Sequence, residues 1–85
     1  MAYTVQFTPR ARRDLTRLES PIQRRIAAAI DQLALNPRPS GVKKLADSEN
    51  HWRIRVGDYR IIYQIFDEVL VIVIVTIGHR GDVYR

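Results

Sequence analysis

Three arginines, Arg53, Arg55 and Arg60, are the residues whose type and spacing imply chemistry most directly. They stand in the run Trp52-Arg53-Ile54-Arg55-Val56, Gly57-Asp58, Tyr59-Arg60-Ile61-Ile62-Tyr63. Two alternating runs joined by a two-residue Gly-Asp link predict a β-hairpin, with glycine at the first central position of a type II′ turn. So short a link sets the register: Val56 opposite Tyr59, Arg55 opposite Arg60, Ile54 opposite Ile61, Trp52 opposite Tyr63. Residues directly opposite share a face, so Trp52, Ile54, Val56, Tyr59, Ile61 and Tyr63 make one apolar surface, and Arg53, Arg55 and Arg60 lie on the other. Like charges placed opposite repel, so the Arg55–Arg60 pair costs stability in the free chain. An anionic ligand accounts for that cost, and phosphate suits forked guanidinium groups best. The alternative is a solvated polar face, or one salt-bridged to Asp14, Asp31 or Asp82.

Other basic residues extend the same theme. Arg12 and Arg13, with Arg10 and Arg17, fall on the polar side of a short helical pattern, and Lys43-Lys44 follows a turn-rich stretch. Both groups are candidates for contact with a nucleic-acid backbone, the alternative being ordinary solvation. The net charge of +5 favours an anionic partner, nucleic acid or an acidic protein. Metal chemistry is not expected, because His51 and His79 are far apart and neither has a carboxylate cluster beside it. With no cysteine there is neither a disulfide framework nor a thiolate site. No cofactor is expected.

The elements that must hold these residues can be taken in order. At 85 residues, with a hydrophobic share of 46% and a charged share of 27%, a single domain over 1–85 with a modest core is expected. The N-terminus lacks the apolar h-region of a signal peptide, and the apolar run Val69 to Ile77 is too short to span a bilayer as a helix, so a cytoplasmic protein is expected. Tyr3 to Phe7 alternates and predicts a strand. Thr8-Pro9 starts a helix, with Thr8 as N-cap and Ala11, Leu15 and Leu18 at helical spacing. Ser20-Pro21-Ile22-Gln23 starts a second, with Ser20 as N-cap, Gln23 in a capping box, and a stripe of Ile22, Ile26, Ile30 and Leu33. Asn36-Pro37 ends it. After the hairpin, an Asp67-Glu68 turn leads into a last strand, Val69 to Ile77, apolar on both faces as a central strand is. The expected fold is α+β: a strand, a two-helix hairpin, then a three-stranded antiparallel meander, in one sheet with the helices packed on the Trp52/Ile54/Tyr63 face.

Nearly the whole chain resembles the RelE/ParE superfamily of bacterial toxins, the toxin halves of type II toxin–antitoxin modules. The resemblance rests on the opening Tyr-x-Val-x-Phe strand, the two helices, the block from Trp52 to Tyr63, and the closing Ile77-Gly78-His79-Arg80-Gly81-Asp82-Val83-Tyr84-Arg85. It implies a small RelE-like fold. For RelE-type members it implies metal-free cleavage of mRNA, in which the ribose 2′-hydroxyl attacks the adjacent phosphodiester in the ribosomal A site. Carried over by position, the site is Arg53 and Arg55 on the first hairpin strand, Arg60 on the second, Arg80 after the last strand, and Tyr84. A phosphate that gains charge in the transition state is matched by bidentate guanidinium groups. Tyr84 is matched to stacking on a base or orienting the attacking hydroxyl.

This chain departs from the pattern where the best-known RelE members have lysines, at Arg53 and Arg55. Arginine essentially never gives up its proton, so His79, with an ordinary pKa of about 6.5, is the natural candidate for the general base. Strict alternation places His79 on the arginine face and Arg80 on the opposite one; a bulge at Gly78 reverses this. Three function classes follow: an mRNA-cleaving toxin, a gyrase-inhibiting toxin of the same fold, and a degenerate toxin acting as an antitoxin- and operator-binding module. Each implies a cognate antitoxin, RelB-like or of another type II class, whose acidic or amphipathic segment wraps the basic surface. The first adds mRNA and the ribosome as partners, operator DNA is reached through the antitoxin, and no membrane partner is expected.

Overall fold

A computed structural model describes residues 2–79. Five strands and two helices follow in the order β1 (Thr4–Phe7), α1 (Pro9–Thr16), α2 (Ser20–Leu35), β2 (Lys43–Lys44), β3 (Trp52–Val56), β4 (Tyr59–Phe66) and β5 (Val71–His79). They form one sheet in the order β1-β5-β4-β3-β2. β1 runs parallel to β5, with Thr4 beside Val71 and Phe7 beside Ile74, and every other pairing is antiparallel. The α+β fold with both helices on one sheet face is therefore as expected, with an added short edge strand, β2. Two residues are too few for a period to show in the sequence.

α1 begins as its sequence dictates. Thr8 is extended and its side chain accepts from the Ala11 amide, while Pro9 opens the first turn, where its missing N–H costs nothing. α2 differs in detail: the N-cap is Glu19, without a side-chain hydrogen bond, and not Ser20. Gln23 makes no capping box; its amide donates to the Leu15 carbonyl at 2.9 Å, beside the Leu18 amide that bonds the same oxygen at 3.2 Å, and so ties α2 to the end of α1. Asn36 is extended and ends α2, as a residue before proline must be.

The stripe of α2 (Ile26, Ile30, Leu33) and Ala11 of α1 pack against Ile54, Ile61, Tyr63, Ile65, Ile72, Ile74 and Ile77 of the sheet. Ile26, Ile61, Tyr63, Ile72 and Ile74 are fully enclosed. A buried side chain of this size contributes about 1.5–3 kcal/mol each, which is what binds the helical pair to the sheet.

β5 departs from expectation in two ways. The β4–β5 turn spans residues 67–70, not Asp67-Glu68 alone, and ends on Leu70 at φ +54°, so the strand runs Val71–His79 and Val69 lies exposed in the turn. Between β4 and β5 the register slips by one: Tyr63 pairs with Ile74 but Ile62 with Thr76, leaving Val75 unpaired in a β-bulge. The slip exchanges the two faces of β5 beyond Val75. Among the described residues, no helix is long and apolar enough to cross a membrane.

Candidate functional site

The hairpin register is the one its Gly-Asp link predicts: Val56 opposite Tyr59, Arg55 opposite Arg60, Ile54 opposite Ile61, Trp52 opposite Tyr63. Gly57 takes φ +60°, which a residue with a Cβ adopts only under strain, and a Cβ there would lie 3.0 Å from the Arg25 guanidinium of α2. The tight link is what aligns the arginines.

β2 adds a fourth cation. Lys43 pairs with Arg53 across the β2–β3 ladder, so its side chain shares the arginine face. Lys43, Arg53, Arg55 and Arg60 together with Gly41 line a concavity of about 260 Å³. Among the described residues, no carboxylate is on its lining. Arg55 is oriented within it by donating from Nε to the Gly57 carbonyl at 3.1 Å. The cross-strand neighbours of the arginines are apolar or neutral: Ile62 lies beside Arg53 and pairs with Thr76, while Gly78 lies beside Arg60. Chemically this is a forked-donor pocket with one ammonium, suited to a phosphodiester and to charge that builds on its oxygens.

The other residues singled out from the sequence divide. Lys44 pairs with Trp52 and so faces away from the concavity, with its ammonium 5.7 Å from the indole centre; Arg38 stacks on the same ring at 5.0 Å. Arg12 lies 5.7 Å from the centre of the Phe7 ring, and Arg13 is exposed in the last turn of α1; neither joins the site. His79 corrects the expectation from strict alternation. The bulge at Val75 puts it opposite Tyr59, on the face away from the arginines, with the two rings edge to face at 5.4 Å. Arg80 and Tyr84 lie outside the described residues.

Lys43 is the residue whose role in this arrangement exceeds the sequence reading, which placed it in a loop. Gly41, at φ +88°, was not singled out at all; its signal was the Pro39-Ser40-Gly41 turn that leads into β2. The loop is anchored from below. The Tyr63 hydroxyl donates to the Pro37 carbonyl at 2.7 Å, and burial pushes that phenol's pKa upward. Arg38 reaches the turn after β4, where its guanidinium grips Asp67 in two hydrogen bonds of 2.9 and 3.2 Å. Those bonds, and the one Tyr3 donates, hold the Asp67 carboxyl below the usual carboxylate range.

Residues 5–84 match the family model described as the ParE toxin of the type II toxin–antitoxin system parDE. The whole chain is 41% identical to a protein named toxin RelG from Mycobacterium tuberculosis, covering 99% of it. It is 27% identical to the mRNA interferase toxin RelE of Escherichia coli K12, covering 92% of that protein. Among solved structures, the toxin–antitoxin complex RelBE2 of M. tuberculosis contains a chain that superposes with a TM-score of 0.81 at 36% identity, over 94% of this chain and 100% of that one.

Proposed function

The chain belongs to the ParE toxin family of type II toxin–antitoxin systems, within the RelE/ParE superfamily, and from that premise we propose that it is a metal-independent endoribonuclease that cleaves mRNA on the ribosome. The observation that carries this reading is the four-cation concavity of Lys43, Arg53, Arg55 and Arg60. Arg55 is held directly against Arg60, and a bound phosphodiester offsets that repulsion. The guanidinium groups bind the scissile phosphate and stabilise its transition-state charge. The attack by the 2′-hydroxyl needs a proton acceptor. Among the concavity's described lining residues Lys43 is the one amine, the other cations being arginines, which remain protonated, and His79 stands on the other face. Arg80 and Tyr84 keep the roles the family resemblance implies, and Arg12 and Arg13 add contacts to ribosomal RNA backbone.

A cognate antitoxin is the expected partner, as in the solved toxin–antitoxin complex to which this chain is similar. It neutralises the basic face by laying an acidic segment along it, folding on binding. Gel filtration of the mixed proteins gives one complex if this holds and two separate peaks if it does not.

The deciding experiment is primer extension on a programmed ribosome with the intact chain, Arg60→Ala, Lys43→Arg and Lys43→Ala. Cuts at the A-site codon that fall by about a hundredfold or more in Arg60→Ala establish the reaction, that being the usual cost of one oxyanion donor. Loss in Lys43→Arg, which keeps the charge but not the titratable amine, assigns the proton acceptor. A second reading, a gyrase-inhibiting toxin, is favoured by the description of the matching family model. Inhibition of gyrase supercoiling without RNA cuts selects it.

A further inference from the structure

The bulge in β5 is held from outside the sheet by α1. β1 ends at Phe7 beside Ile74, so past that point no strand among the described residues borders the outer edge of β5. Side chains take over its hydrogen bonds. Thr8, through its hydroxyl, donates to the carbonyl of the bulged Val75 at 2.7 Å. Asp14 then accepts twice on one oxygen, Oδ2: from the Thr76 hydroxyl at 2.9 Å and from the Ile77 amide at 3.0 Å. A single carboxylate thus does for this edge what a ladder partner does elsewhere.

What this clamp decides lies on the opposite face of the sheet. With the bulge, Gly78 stands beside Arg60 and Thr76 beside Ile62, while Ile77 turns into the core at 3% exposure. Continuing the register of Tyr63–Ile74 without the slip instead sets Ile77 beside Arg60 and carries His79 to the arginine face. A branched apolar side chain beside Arg60 would crowd and desolvate a guanidinium that must receive an anion. We propose that Asp14, assisted by Thr8, is a positioning residue for the basic concavity: it holds the bulge that keeps a glycine beside Arg60 and Ile77 out of the site. The cleavage arm of the test rests on the ribonuclease reading; the other two arms do not.

The test follows three signals in the full chain by NMR and kinetics. The Tyr59–His79 ring contact reports which face His79 occupies, inorganic phosphate titrated against the arginine Nε–H resonances reports the concavity, and single-turnover cleavage reports the reaction. Asp14→Ala is expected to lose the Tyr59–His79 contact, to weaken phosphate binding, and to lower the cleavage rate at saturating RNA by up to about a hundredfold, the cost of misplacing a group by about 1 Å. Asp14→Asn keeps an oxygen acceptor for the Ile77 amide and is expected to stay close to the intact chain in all three. A purely electrostatic role predicts the reverse for phosphate: both variants remove a negative charge, and both would bind it more tightly. Asp14→Asn matching Asp14→Ala therefore overturns the proposal, as does a folded Asp14→Ala that keeps the ring contact and phosphate affinity. Should Asp14→Ala not fold, Thr76→Val removes one of the two hydrogen bonds and carries the test; a weakened ring contact and weaker phosphate binding support the clamp, and no change in either overturns it. If the intact chain cuts no RNA, the ribonuclease reading fails while the ring contact and phosphate arms still decide the clamp.

Discussion

Removing one oxygen, in Tyr63→Phe, tests how firmly the loop that walls the basic concavity is tied down. Tyr63 is wholly buried, and its hydroxyl donates to the carbonyl of Pro37 at 2.7 Å. Phenylalanine fills the same space but leaves that carbonyl without its donor, a loss of about 1.5 kcal/mol at neutral pH. For a domain of this size that lowers Tm by roughly 6–12 °C. The sign of the pH dependence follows from the environment. Burial favours the neutral phenol and raises its pKa in the fold, whereas the unfolded chain releases the proton near the ordinary value of about 10. The contribution of Tyr63 is therefore complete below about pH 10 and is lost above it at about 1.4 kcal/mol per pH unit while the folded hydroxyl keeps its proton. Tyr63→Phe lacks this term and the remaining tyrosines cancel in the comparison. The two stability curves should therefore meet near about pH 11. Denaturant melts followed by Trp52, the sole tryptophan and the cross-strand partner of Tyr63, measure the gap at each pH. Equal stabilities at pH 7, or a gap unchanged at pH 11, would refute the reasoning.

Binding of single-stranded RNA by the four cations of the concavity should show a slope of log K against log salt of about −2 to −3, from roughly 0.7 per phosphate neutralised; Arg55→Gln should reduce that slope by about 0.7 in a fluorescence-anisotropy titration. Asp67, held below the usual carboxylate range by Arg38 and then Tyr3, contributes stability above the ordinary aspartate pKa of about 3.9 that is lost as pH falls through its depressed value, so acid titration of Trp52 fluorescence should show a transition below that range that Asp67→Asn abolishes. Ile26→Ala, at a fully buried position between α2 and the sheet, should cost about 2–5 kcal/mol in denaturant melts.

The hairpin was legible because its turn is only two residues long: Gly57-Asp58 permits one register, and every pairing from Trp52–Tyr63 to Val56–Tyr59 follows. The start of α1 was legible for a similar reason, Thr8-Pro9 being a local signal that does not depend on distant parts of the chain. β5 was not. A run as uniformly β-branched as Val71-Ile72-Val73-Ile74-Val75-Thr76-Ile77 has no period to betray a slip. The bulge depends on partners contributed by Thr8 and Asp14, more than sixty residues away. The face of His79 therefore could not be read from its neighbours. The turn before β5 was misjudged because it closes on Leu70 at φ +54°, a conformation that leucine does not advertise. Lys43 was recognised as basic, but its place beside Arg53 rests on a two-residue strand that only the finished sheet makes visible.

The parallel pairing of β1 with β5 has a consequence for how the chain comes to be folded. Thr4 must wait for Val71 before its strand has a neighbour, so the sheet closes through contacts between the two ends of the sequence. Long loops of this kind must be closed before their contacts repay the entropy, which slows folding. The hairpin carrying the arginines has no such delay, since its strands are joined by two residues. During synthesis, at about 5–20 residues per second, the arginine-bearing strands are therefore complete before the last strand exists to close the core around them. Until β5 arrives, the cationic surface belongs to a chain that has not yet acquired its final shape.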